Sequence, residues 1–88
     1  LDRIADQRKN FILDFSGAPL IDSTAANAVE GAVRKAHKED VRVIITGASA
    51  NVRRLLIANG VRQPLVEFYP SIDEALEEIG GKAEVEAA

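Results

Sequence analysis

Residues 41–46, Val-Arg-Val-Ile-Ile-Thr, limit the fold more than any other stretch of the chain. The run is nearly all β-branched, and branched side chains favour extended backbone over helix. It is apolar on both faces, so as a strand it has no side to turn to water. Such a strand belongs inside a sheet covered by helices on each side. Residues 11–15, Phe-Ile-Leu-Asp-Phe, form a second short apolar block of the same kind. Residues 66–69, Val-Glu-Phe-Tyr, form a third, preceded by Gln63-Pro64 and stopped by Pro70.

Helical spacing fills the intervals. Ala25, Ala26, Val29, Ala32, Val33 and Ala36 recur at i, i+3, i+4 and i+7, with Asn27, Glu30, Arg34, Lys35 and Lys38 largely opposite. The stripe is made of small residues, which suits a helix lying close against a sheet. Gly31 lowers helix propensity, so its expected benefit is close approach. Val52, Leu55, Leu56 and Asn59 set the inner face of a second helix, and Ile72, Ala75, Leu76 and Ile79 that of a third. Strands alternating with helices over short loops predict an α/β fold with a mainly parallel sheet. Leu1, Ile4 and Ala5 share a helical face ahead of Arg8, Lys9 and a C-cap at Asn10. That reads as the last turns of a helix begun before residue 1, and the absence of an initial Met fits a fragment of a longer protein. The count is three strands and four helices, the first partial. A three-stranded sheet is thin, so one edge is expected to be covered by chain missing here or paired with another copy in a homodimer.

The ends of the elements carry the polar signals. Asp22-Ser23-Thr24 offers three consecutive N-cap side chains before the small-residue helix, after the turn chemistry of Ser16-Gly17-Ala18-Pro19. Ser49 is placed to cap the second helix. Ser71 and Glu74 make a capping box for the third. Asn59-Gly60 and Gly80-Gly81 are stops. Residues 82–88 have no apolar period and read as a frayed, disordered tail beyond a domain spanning residues 1–81.

Composition narrows the function. A chain of 88 residues makes one modest domain that buries roughly 60–65% of its unfolded surface. Its net charge of −3 disfavours a nucleic-acid partner. With no cysteine and one histidine, thiolate metal sites are excluded and only scattered carboxylates remain, so no metal is expected. Nothing approaches the ~18 apolar residues of a membrane span, so direct membrane insertion of this domain is not expected, and an intracellular location is the default. No Gly-x-Ser-x-Gly elbow is present, and His37 lies roughly 20 Å along the helix from Ser23, so a serine-hydrolase reading fails. No catalytic residue and no cofactor are expected.

The candidate functional surface is the corner where strand, loop and helix N-terminus meet, at Asp22, Ser23 and Thr24. One cap explains one residue, not three. The choices there are helix capping or contact with a ligand, partner or phosphoryl group, because backbone N–H groups and a positive helix end point outward. Asp14 either lines the same corner or faces solvent. Arg53 and Arg54, with Arg34, Lys35, Lys38 and Arg62, form either a solvated face or a docking patch for an acidic partner.

The order of these features resembles the STAS family, the sulphate-transporter and anti-sigma-factor-antagonist domain. The resemblance is carried by Phe11-Ile-Leu-Asp-Phe-Ser-Gly-Ala-Pro-Leu-Ile-Asp-Ser-Thr24, Val43-Ile-Ile-Thr-Gly47, Val52-Arg-Arg-Leu-Leu56 with Asn59-Gly-Val61, and Phe68-Tyr-Pro-Ser-Ile-Asp-Glu-Ala-Leu76. It implies a STAS-like sheet whose N-terminal β-hairpin is absent from this chain. In the antagonist branch, the Ser after the Asp of Asp-Ser-Ser/Thr-Gly-Leu is phosphorylated by a partner kinase, and Ser23 matches it. In SulP-type anion permeases, the same fold hangs on the cytoplasmic side of the inner membrane and regulates or assembles the transporter. Ala25-Ala26 stand here where antagonists usually have Gly-Leu, and residues 53–68 look more like the permease branch. The resemblance therefore implies a non-catalytic regulatory domain whose partners are the transmembrane part of its parent transporter and other cytoplasmic proteins.

Overall fold

The computed structural model describes residues 9–88 and places four strands and three helices among them in strict alternation. They are β1 (Asn10–Asp14), α1 (Ser23–Lys38), β2 (Arg42–Thr46), α2 (Ala50–Ala58), β3 (Val66–Tyr69), α3 (Ile72–Ile79) and β4 (Glu84–Ala87). All neighbouring strands pair in parallel in the order β3-β2-β1-β4. The register sets Ile12 beside Ile44, Asp14 beside Thr46, and Thr46 beside Tyr69.

The order reflects crossover handedness. From β1 to β2 to β3 the chain steps one way across the sheet, so right-handed crossovers leave α1 and α2 on one face. From β3 it returns across the whole sheet to β4, which sends α3 to the opposite face. Period-2 alternation splits the core accordingly. Phe15, Val43, Ile45 and Val66 pack with Ala26 and Val33 of α1 and Val52 and Leu56 of α2. Ile12 and Ile44 point the other way, onto Ala75 of α3, with Tyr69, Ile72 and Leu76 packed around them. Residues 43–46 are buried throughout, as expected of a strand with two covered faces.

Four details depart from the sequence reading. Residues 82–88, read as a frayed tail, supply a fourth strand: β4 pairs with β1, the Asn10 side-chain amide donates to the Lys82 carbonyl (3.2 Å), and the Ala88 N–H donates to the Asp14 carbonyl (2.8 Å). All four β4 residues are exposed, so backbone hydrogen bonds rather than side-chain burial hold them, and no apolar period marks them. Asn10 is the first residue of β1, not a helix C-cap; the helix expected before it lies outside the described residues. Asn59 does not sit on the inner face of α2 but caps its C-terminus, its Nδ2 donating to the Leu55 carbonyl at 2.9 Å. Gly31 faces outward, and a side chain built there meets no atom within 4 Å, so no close approach within the molecule explains it.

Candidate functional site

A parallel sheet sends every strand's carboxyl end, and the N-terminus of every following helix, to one edge. Here that edge gathers the ends of β1, β2 and β3 and the caps Asp22, Ser49 and Ser71. The Asp22 carboxylate accepts the Ala25 N–H at 2.8 Å and caps α1. The Ser49 hydroxyl accepts the Val52 N–H (3.2 Å) and donates to the Pro19 carbonyl (3.2 Å), which ties the β1–α1 loop to the start of α2. Ser71 accepts the Glu74 N–H at 3.2 Å. No return bond from the Glu74 carboxylate forms among the described residues, so only half of the expected capping box is made.

Asp14 is the centre of the edge. Its Oδ2 accepts the Ser16 hydroxyl at 2.6 Å, and its Oδ1 accepts the Thr46 hydroxyl at 2.9 Å and the Ser16 N–H at 3.4 Å. These bonds, the Ser16 hydroxyl foremost, hold the carboxyl below its ordinary pKa against a smaller opposing effect of burial. Thr46 is fully buried, so its hydroxyl depends on this carboxylate for a partner. Gly47 closes the cluster from below. It adopts φ +68°, and a Cβ there would lie 2.9 Å from Ser16 Cβ and 3.1 Å from Asp14 Oδ1. Asp14 and Ser16 border a shallow, open hollow shared with Pro70, Ser71, Ile72 and Asp73. Asp14 thus does face this edge, and its carboxylate is committed to holding β1, β2 and the Ser16 turn together.

Asp22, Ser23 and Thr24 are all exposed at the first turn of α1. Asp22 alone does the capping. The Ser23 and Thr24 hydroxyls make no hydrogen bond among the described residues, so both are available at the positive end of a sixteen-residue helix. Arg53 and Arg54 are exposed on α2 and serve local contacts: the Arg53 guanidinium lies 5.6 Å from the Phe68 ring centre, and Arg54 donates to Asn51. The fold does not gather these two arginines into the Asp14 cluster. Thr46 and Gly47 lie in a stretch that carries the family resemblance, but no periodicity or capping signal links them to Asp14. The Asp14-x-Ser16 spacing is a local turn signal, whereas Thr46 reaches Asp14 from 32 residues away. Among the described residues no three His, Cys, Asp or Glu side chains cluster as metal ligands, and no helix is long and apolar enough to cross a membrane.

A family model described as the STAS domain matches residues 1–75. No curated protein and no solved structure gives a match.

Proposed function

The chain belongs to the STAS domain family, and we propose that it is the non-catalytic regulatory domain of a SulP-like transporter of sulfate or a related inorganic anion. It would sit on the cytoplasmic side of the inner membrane and act by contact with the transmembrane part of its parent and with other proteins. The observation that carries this reading is the Ala25-Ala26 pair, directly after the Asp-Ser-Thr motif at the head of α1. These two residues stand where antagonists of sigma-factor regulators usually have Gly-Leu, and Ala26 is fully buried against the core. Ala26 packs the first turn against the core, with Asp22, Ser23 and Thr24 left outside as a contact surface.

Two measurements test it. The reading frame upstream of Leu1 should encode a series of apolar spans of ~20 residues each. Sulfate uptake by that protein should change when this domain is deleted or when Ser23 and Thr24 are both made bulky. A short upstream frame holding only a hairpin and an initiator Met would sink the transporter reading.

The free Ser23 hydroxyl supports a second reading, an anti-sigma-factor antagonist switched by phosphorylation. A phosphate there adds roughly −1.5 to −2 charge at a helix N-terminus, which the helix dipole tolerates, so the switch would work on the partner-facing surface rather than by unfolding. Incubation with an anti-sigma kinase should then label the native chain and not Ser23→Ala. Equal absence of label in both removes this alternative.

A further inference from the structure

Gly31 stands inside α1, where glycine is the least favourable residue short of proline, yet its surroundings within the molecule are open. It lines a shallow depression of about 500 Å³ together with Arg34, Lys35, His37, Lys38 and Leu65. Lys35 and Lys38 are exposed, one helical turn apart, and make no ion pair among the described residues. Arg34 is paired with Glu30 on the same helix.

Charge is divided between the two sides of the sheet. Helices α1 and α2 carry five Lys or Arg residues against one Glu, while α3 carries four acidic residues and no basic one. The net −3 of the chain therefore hides a distinctly cationic α1–α2 side.

We propose that the outer face of α1 around Gly31 docks an acidic helix of a protein partner. The missing Cβ admits a helix ridge to close range, Leu65 supplies an apolar contact beside it, and Lys35 and Lys38 meet carboxylates spaced one turn apart on the incoming helix. A bilayer surface has no ridge to fill such a recess, and a nucleic acid would meet the repulsion of the chain as a whole. The surface is separate from Ser23 and stands under either reading of the domain's parent.

The test uses the 15N-labelled 88-residue chain and a synthetic Glu/Ala helix of about 15–18 residues with its glutamates at i, i+4, beside a control with Gln for Glu. Amide shifts should be confined to the surroundings of Gly31, Lys35, Lys38 and Leu65. Reversal by Lys35→Glu with Lys38→Glu should weaken binding about tenfold. Gly31→Gln should raise the melting temperature, since it improves helix propensity in open space, and still abolish binding. The proposal is overturned by equal binding of the Gln peptide, by shifts centred elsewhere, or by full affinity in the more stable Gly31→Gln chain. It is also overturned by preference for phosphatidylglycerol vesicles over the peptide, or by concentration-dependent self-association through α3 of a second copy that excludes the peptide.

Discussion

Thr46 and Asp14 share one hydrogen bond, but they do not share its loss equally. Thr46 is fully buried, so Asp14→Ala leaves a hydroxyl donor with no partner and should cost about 1–3 kcal/mol. Thr46→Val removes the donor and leaves a half-exposed carboxylate that water and Ser16 still satisfy, so its cost should stay below about 1 kcal/mol. Urea unfolding of the two variants measures the asymmetry, and equal costs would contradict it. The same carboxylate ties stability to acid. Its pKa is lower in the folded chain than in the unfolded one, so its contribution is complete above the unfolded value and fades as pH falls through the folded value. Urea midpoints should therefore drop below about pH 4 less steeply in Asp14→Asn than in the native chain. Gly47 belongs to the same cluster for a different reason. At φ +68° with Ser16 Cβ 2.9 Å from where its own Cβ would lie, Gly47→Ala should cost about 1–3 kcal/mol.

Helix α1 separates capping from function within one turn. Asp22 accepts the Ala25 N–H, so Asp22→Ala should cost ~1 kcal/mol in thermal or urea unfolding. Ser23→Ala and Thr24→Ala remove hydroxyls with no partner among the described residues and should fall within about 0.5 kcal/mol of the native chain. A large loss from Ser23→Ala would mean that this hydroxyl serves the fold, which would weaken its use as a contact or modification site. The three consecutive polar residues are legible in the sequence as a cap, but which one bonds depends on backbone geometry that residue type does not encode. The strands divide in the same way. β1, β2 and β3 announce themselves because burial selects branched and aromatic side chains, and the helices because burial selects every third or fourth position. β4 leaves no such mark: Glu84, Val85, Glu86 and Ala87 bury nothing and are held by hydrogen bonds to β1. The Asp14–Thr46 contact is equally invisible, because parallel pairing aligns two residues that no local pattern connects.

At the scale of the molecule, the two sides of the sheet differ in how much core they hold. Among the described residues, nine buried ones form the cluster under α1 and α2, including Phe15, Leu56 and Val61, whereas three, Ile12, Ile44 and Ala75, form the one under α3, with Tyr69, Ile72, Leu76 and Ile79 partly buried around them. Since burial of apolar surface is the main favourable term in folding, α3 is attached by much the smaller share of it. It is followed directly by β4, which adds backbone bonds and no buried side chain. These two elements are consecutive in the sequence and can open together while β1, β2, β3, α1 and α2 keep their shared core. Native-state hydrogen exchange should therefore show the amides of α3 and β4 opening at a lower free energy, with a weak denaturant dependence, and those of β1 and β2 opening only with global unfolding. Leu56→Ala supplies the decisive comparison. Truncating a fully buried residue on the α1–α2 side should lower global stability by about 2–5 kcal/mol and reduce β2 protection by the same amount. The α3–β4 opening should keep its original free energy until the global value falls to meet it. If α3 and β4 amides lose protection in step with β2 from the outset, the two sides unfold as one unit and the thinner core is not a separate seam.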